Sequence, residues 1–177
     1  SREKTKEIIT KMDVYKIDPL LPVNSFERLQ RICRNSYKTF PYSEDFGRYF
    51  INDKEFVPLK SFHEHLVPLA KNAFNSETLL PSYTIFAHYE GKEAKLPKHK
   101  DNNACTYTID LCLYQNTPWS IYVEDREFTL EENQAIGFYG EDQEHWREEF
   151  PDPENNVVGQ VFFHFVEPDH WFFNENN

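Results

Sequence analysis

The fold is decided by six short runs in the second half of the chain: LLPSYTIFAHYE (79–90), TYTIDLCLY (106–114), WSIYVED (119–125), EFTL (127–130), QAIGFYG (134–140) and VVGQVFFHFV (157–166). These runs are rich in β-branched and aromatic residues, and turn signals such as Glu90-Gly91 and Pro151-Asp152-Pro153 separate them. At least six closely spaced strands predict a β-sandwich or a barrel.

The segment before residue 79 predicts helices instead. Asn24-Ser25 is a candidate N-cap for a first helix, in which Phe26, Leu29 and Cys33 recur at helical spacing. A second helix is predicted within residues 58–75, with a kink or a break at Pro68. The residues between them predict a loop with a short strand. We therefore predict a single domain over residues 1–177, with a helical support region at about 1–78 and a β core at about 79–170.

Composition excludes several classes of protein. The chain has 177 residues, of which 39% are hydrophobic and 28% charged, as expected of a soluble globular protein. Its net charge of −11 disfavours binding to nucleic acid and to anionic membranes. The first residues, SREKTKEIIT, do not resemble a secretory signal. The three cysteines form no metal-binding or disulfide pattern, which favours a reducing compartment and a cytoplasmic location.

The histidines offer one pattern typical of a metal site. His99-Lys100-Asp101 follows a polar loop, and on a strand its first and third side chains point the same way. His145 follows the predicted strand at 134–140 and could supply a third ligand from a distance. Two histidines and one carboxylate on one face of an octahedron are typical of ferrous oxygenases. On a strand, His145 and Arg147 would share a face and place a cation beside the metal.

Other histidines remain alternatives at this point. His88-Tyr89-Glu90 is a competing His-x-Glu, although it lies inside a predicted strand. His164, within the apolar run at 157–166, is a rival for the distal ligand, but a buried structural histidine is the simpler interpretation. His63 and His65 are spaced by two, which on a helix places them on different faces and favours surface or structural roles.

The sequence lacks the motifs of several other kinds of enzyme. The sequence contains no Gly-x-Ser-x-Gly nucleophile elbow, no glycine-rich phosphate loop and no His-Glu-x-x-His zinc motif. Its cysteines lie at apolar positions, where a buried and unreactive thiol is expected.

With these motifs in place, the stretch from Tyr89 to Phe165 resembles the core of the iron(II)/2-oxoglutarate-dependent dioxygenases, and most of all their prolyl-hydroxylase-like branch. The matching pieces are Tyr89 ten residues before His99, the His99-Lys100-Asp101 segment, the strand–turn–His run ENQAIGFYGEDQEHWRE (132–148) and the closing strand GQVFFHFVEPD (159–169). The resemblance implies a mainly β fold with N-terminal helices, a double-stranded β-helix (jelly roll) braced by helices.

The resemblance also implies residue roles. His99, Asp101 and His145 would ligate Fe(II), and Tyr89 would contact 2-oxoglutarate. Related hydroxylases carry an Arg or Lys on the strand after the distal His, whereas NNVVGQVFFHF (155–165) has neither. A carboxylate pairs best with Arg, so Arg147 is the nearest candidate partner for the distal carboxylate. The fallbacks are Arg126, Lys95 and Lys98.

The implied activity is an iron(II)- and 2-oxoglutarate-dependent oxygenase. It would use O2 to hydroxylate an unactivated C–H bond of a small molecule, an amino acid or a peptide, and release succinate and CO2. The carboxylate at Asp101 favours hydroxylation over halogenation, because halogenating relatives have a small residue there. The alternative is a non-catalytic β-sandwich, a binding or structural protein whose histidines are incidental.

Overall fold

The computed structural model describes residues 13–175, which form two antiparallel sheets and a set of helices. The described strands are β1 (Tyr15–Ile17), β2 (Tyr42–Ser43), β3 (Arg48–Asn52), β4 (Leu80–Glu90), β5 (Leu96–His99), β6 (Tyr107–Gln115), β7 (Ile121–Val123), β8 (Arg126–Phe128), β9 (Ala135–Phe138), β10 (His145–Arg147) and β11 (Val157–Val166). The described helices are α1 (Val23–Ser36), α2 (Pro58–His65), α3 (Val67–Ala73) and α4 (Trp171–Glu175), with a short 3-10 turn at Tyr37–Thr39.

The two sheets form a double-stranded β-helix. The larger sheet has the order β1-β9-β6-β11-β4-β3-β2, and the smaller has the order β5-β10-β7-β8. From β4 to β11 the chain passes back and forth between the sheets and contributes four strands to each. This arrangement confirms the predicted fold class, mainly β with N-terminal helices and a jelly-roll core.

Because side chains alternate along the strands of the larger sheet, its outer face and its inner face line two separate parts of the interior. On β6, Ile109 and Leu111 face outward into a hydrophobic cluster that includes Leu29 of α1 and Leu59 of α2. Asp110, between them, points into the space between the sheets. The helices therefore bury the outer face of the larger sheet, and the inner faces of both sheets are left to form a site.

The structure corrects the predicted start of the first helix and confirms the predicted break in the second. The first helix begins at Val23, and the carbonyl of Pro22 accepts the hydrogen bond of the Phe26 N–H at 2.9 Å. Neither Asn24 nor Ser25 makes a capping bond, so the predicted N-cap was wrong by two residues. The second predicted helix is broken into α2 and α3 at Leu66, which confirms the predicted effect of Pro68.

The N-terminal part also supplies three strands. β1 pairs with β9, and β2 and β3 extend the larger sheet beyond β4. The sequence predicted one short strand in the first 78 residues, between the helices. The first ten residues, where no secretory signal was predicted, lie outside the described residues. Within residues 13–175, no helix combines the length and the apolar character that crossing a membrane would require.

Candidate metal centre

Three of the predicted site residues converge at the open end of the small sheet. His99 ends β5, His145 begins β10, and the two are register partners in the ladder between these strands. Asp101 lies between them: its Oδ1 is 3.1 Å from Nε2 of His99 and 3.3 Å from Nε2 of His145. One ligand atom from each residue lies within 4.8 Å of the others. The backbone N–H of Asp101 donates to the carbonyl of Gly140 at 2.8 Å, which holds the carboxylate in place.

Both imidazoles are oriented by backbone carbonyls. Nδ1 of His99 donates to the carbonyl of Pro97 at 2.7 Å, and Nδ1 of His145 donates to that of Gln143 at 2.8 Å. Because a carbonyl holds the Nδ1 proton of each ring, Nε2 faces Asp101: it carries a lone pair when the imidazole is neutral and donates to the carboxylate when the imidazole is protonated. Histidines that bind metals are generally held in this way by a carbonyl or a carboxylate on the other ring nitrogen.

The two imidazoles shift the titration of Asp101, and Asp101 in turn shifts that of His99. Burial raises the pKa of Asp101, but hydrogen bonds from His145 and His99 outweigh it and hold the pKa of this carboxyl well below its ordinary value. Burial lowers the pKa of His99, while hydrogen bonds to Asp101 and to the Pro97 carbonyl raise it, and the net shift is upward. The site therefore holds a carboxylate that favours a positive charge between the two imidazoles.

A cavity of about 370 Å³ opens beside this cluster. Apolar side chains form most of its wall: Phe46, Ile85, Leu96, Pro97, Phe138 and Phe162. Its polar lining, apart from the three converging residues, consists of Arg48, Tyr83, Thr108 and His164. A mostly apolar wall with a few convergent polar groups is typical of sites that bind small organic ligands.

His164 lies on the other side of Asp101. Together with Asp101 and Cys105, it forms a second group whose ligand atoms lie within 4.8 Å. Burial raises the pKa of the Cys105 thiol, which keeps it protonated and a poor metal ligand. Burial also lowers the pKa of His164 to about 4, and its Nδ1 is hydrogen-bonded to Thr108 Oγ1 at 2.9 Å. His164 is thus a buried, neutral histidine in the cavity wall, as its apolar run predicted.

The rival His-x-Glu lies elsewhere. His88 stacks on Tyr37 with 3.6 Å between ring centroids, and its Nε2 is 2.7 Å from Oε1 of Glu90. His88 and the neighbouring Tyr89 point to opposite faces of β4, and His88 does not line the cavity. His63 is also structural, because it is buried on α2 and its Nε2 donates to the carbonyl of His164 at 2.8 Å.

Arg147 does not take up the position that the sequence predicted. It shares a face of β10 with His145, but its side chain is buried and does not line the cavity. Its Nη2 donates to Asp110 Oδ2 at 3.1 Å and its Nη1 to the carbonyl of Trp119 at 2.6 Å. The exposed fractions of the two charged side chains are 1% and 0%. Because Asp110 already neutralises the guanidinium inside the core, Arg147 as described is not available to a carboxylate in the cavity.

The fallback cations also lie outside the cavity lining. Lys98, for example, places its Nζ over the ring of Trp146 at 4.4 Å from the centroid. The cation that does line the cavity is Arg48, which sequence reasoning missed. Its Nη1 donates to the hydroxyl of Tyr89 at 2.8 Å. Tyr89 is fully buried and packs against Trp119, with ring centroids 5.0 Å apart.

The chain is similar to known proteins in its fold but not in its sequence. No protein-family model matches the chain, and no curated protein matches it. A prolyl hydroxylase from Trichoplax adhaerens, solved with a hypoxia inducible factor peptide fragment, is 12% identical with a TM-score of 0.65, over 93% of this chain and 87% of that one.

Two further solved structures are similar to the chain to the same degree. An oxidoreductase of the 2OG-Fe(II) oxygenase family from Burkholderia pseudomallei is 7% identical with a TM-score of 0.64, over 88% of this chain and 85% of that one. The alpha ketoglutarate dependent epimerase SnoN from nogalamycin biosynthesis is 11% identical with a TM-score of 0.65, over 85% and 78%. The chain therefore has the double-stranded β-helix fold of the 2-oxoglutarate- and iron-dependent oxygenases.

Proposed function

We propose that this protein is an iron(II)- and 2-oxoglutarate-dependent oxygenase that hydroxylates an unactivated C–H bond of a small molecule, an amino acid or a peptide. The observation that carries the proposal is the convergence of His99, Asp101 and His145 beside an apolar cavity, in this fold. Among proteins with the same fold, SnoN has been solved with Fe3+ and alpha ketoglutarate.

The donor set fits ferrous iron. Two neutral imidazole nitrogens and one carboxylate oxygen would occupy one side of the ion and leave the side towards the cavity open. Together with Fe(II), this set has a net charge of about +1, which attracts an anionic keto acid. The bound metal would supply O2 activation coupled to the oxidative decarboxylation of 2-oxoglutarate to succinate and CO2.

The protein's own groups would orient the reactants and exclude water. The carbonyls of Pro97 and Gln143 keep both imidazoles in the tautomer that presents Nε2. Phe138 and Phe162 give the cavity apolar walls, which would help to keep water from the reacting groups once the ligands fill it. Asp101 fills the carboxylate position, which favours hydroxylation over halogenation.

The size of the cavity supports the proposed substrate class. A volume of about 370 Å³ accommodates the cosubstrate together with a small molecule or a single side chain of a peptide. The acidic surface, with a net charge of −11, disfavours a nucleic-acid substrate. The three cysteines are free and buried, which suits a reducing, cytoplasmic environment.

Anaerobic reconstitution tests the proposal. We expect the wild type to bind one Fe(II) per chain, to bind 2-oxoglutarate only with the metal, and to form succinate when O2 is admitted. His99→Ala, Asp101→Ala and His145→Ala should each lose iron binding and turnover, whereas His65→Ala, an exposed residue on α2, should keep both. A folded wild type that binds neither iron nor 2-oxoglutarate would support the alternative, a non-catalytic β-sandwich.

A further inference from the structure

One cation of the N-terminal part lies at the cavity, although it belongs to none of the eight jelly-roll strands. Arg48 opens β3, which pairs with β4 so that Arg48 and Tyr89 are register partners. The preceding Gly47 has a φ of +61°, and a Cβ there would collide with the backbone of Glu93 and Ala94. Glycine thus allows the start of β3 to pack tightly against the connection that leads into β5, and this packing brings Arg48 to the cavity that contains His99.

The guanidinium of Arg48 has unused hydrogen-bonding capacity. Its Nη1 donates to the Tyr89 hydroxyl, but its Nε is buried and has no partner. Its carbon lies 4.9 Å from the ring centroid of Phe46 and 5.3 Å from that of Phe50, so aromatic faces hold the planar group. A buried donor without a partner is costly unless a ligand satisfies it.

The position that related hydroxylases fill with a cation is apolar here. β11 carries no Arg or Lys, and its inward-facing Val158 packs in a cluster with Tyr89, Trp119 and Phe150. Arg147 is neutralised by Asp110, and Gln160 also faces that carboxylate. Apart from imidazoles, Arg48 is the one cationic side chain among the described residues that line the cavity.

From these observations we infer that Arg48, supported by Tyr89, binds the distal carboxylate of the dicarboxylic keto acid. This inference rests on the proposed function and assigns the role to a strand outside the jelly roll. The Nη hydrogens that Tyr89 does not use belong to a planar fork of the kind that binds a carboxylate through two oxygens. The Tyr89 hydroxyl accepts from Nη1 and so holds the guanidinium in place at the cavity wall.

The test compares two keto acids on the Fe(II)-loaded protein without oxygen. 2-Oxoglutarate and pyruvate share the keto acid group that would chelate the metal, but pyruvate lacks the distal carboxylate. Titrations followed by calorimetry or tryptophan fluorescence give an affinity for each. In Arg48→Gln, we expect the affinity for 2-oxoglutarate to fall about 10- to 100-fold, the loss typical of hydrogen bonds to a charged group. The affinities for pyruvate and for Fe(II) should stay within twofold.

Two further variants control the experiment. Arg34→Gln removes a guanidinium that lies over an aromatic ring, 4.3 Å from the centroid of Tyr114, but on the far side of the sheet from the cavity. It should leave the ratio of the two affinities unchanged. Arg48→Lys keeps the charge on a slightly shorter side chain and loses the fork, so it should show an intermediate ratio. It also serves as the test if Arg48→Gln does not fold.

The possible outcomes distinguish a failure of this inference from a failure of the proposed function. If the wild type prefers 2-oxoglutarate and the Arg48 variants keep that preference, the inference is wrong and another cation binds the carboxylate. If the wild type binds iron but neither keto acid, the proposed function fails first. Loss of preference in Arg48→Gln with retained pyruvate binding supports both.

Discussion

His99 and His145 are paired directly across the ladder between β5 and β10, and their ring centroids are 4.3 Å apart. The pairing of two short strands thus brings together two proposed ligands that are remote in the sequence. The third ligand depends on a different contact, because Asp101 leaves the strand and is held by the backbone carbonyl of Gly140. The centre is therefore sensitive to changes at Gly140, a residue with no side chain of its own.

Gly140→Ala should weaken metal binding. A Cβ at this position would lie 2.5 Å from both Asp101 Oδ2 and Thr108 Oγ1, so the carboxylate must move. Loss of a supporting contact around a metal typically costs about 10- to 100-fold in affinity. Anaerobic Fe(II) titration measures it. Gly91→Ala, where the nearest atom to a new Cβ is 3.9 Å away, is the control and should bind iron as the wild type does. Equal affinities in the two variants would contradict the described position of Asp101.

The buried pair of Asp110 and Arg147 should be structural. Asp110→Ala leaves a guanidinium in the core without its counter-charge, which typically lowers the free energy of unfolding by about 3–5 kcal/mol. Replacing both residues by apolar ones, as in Asp110→Leu with Arg147→Met, removes the unpaired charge and should recover most of that loss. Denaturant unfolding of the single and double variants measures the coupling. Additive losses would show that the two side chains do not depend on each other.

Local patterns were sufficient to predict six of the eight jelly-roll strands and the three converging residues. The runs at 79–90, 106–114 and 157–166 alternate over many residues, and a period of two is a property of the segment itself. His99-Lys100-Asp101 is likewise local, and His145 was found by its place after a strand. The fold was recognised from that combination, and the arrangement of the strands confirms it.

Local sequence patterns do not show which residues from distant parts of the chain contact one another. The sequence predicts that Arg147 is available because Asp110, its partner, is 37 residues away, and the packing of β10 against β6 across the two sheets cannot be seen there. The sequence does not single out Arg48, because the position of this residue at the cavity depends on the register between β3 and β4 and on the tight packing at Gly47. The strand LPKH (96–99) is too short and too polar to show a period.

Stability should fall in mild acid because of buried histidines. Burial lowers the pKa of His63 to about 3, whereas an unfolded histidine titrates near 6.5. Between these values the unfolded state binds the extra proton, so the free energy of unfolding decreases as the pH is lowered through this window. At pH 5 one such imidazole accounts for about 2 kcal/mol relative to pH 7 or above. Urea unfolding at pH 7 and pH 5 measures the fall in the free energy of unfolding between these pH values. This fall should be smaller by about 2 kcal/mol in His63→Asn than in the wild type. An equal fall in both proteins would show that another group is responsible.

Gly47→Ala should separate backbone strain from the placement of Arg48. The positive φ alone costs a non-glycine residue about 1 kcal/mol of stability or more, and the collision with Ala94 must in addition push the start of β3 away from the β4–β5 connection. Gly91→Ala is a matched control, because its φ of +86° carries a similar strain while its Cβ would make only an ordinary contact with the Glu93 carboxylate at 3.9 Å. Both variants should melt at a lower temperature than the wild type. The preference for 2-oxoglutarate over pyruvate should fall in Gly47→Ala and persist in Gly91→Ala, since only the first moves the guanidinium. If both variants kept the preference despite the loss of stability, the tight packing at Gly47 would have no part in placing Arg48 at the cavity.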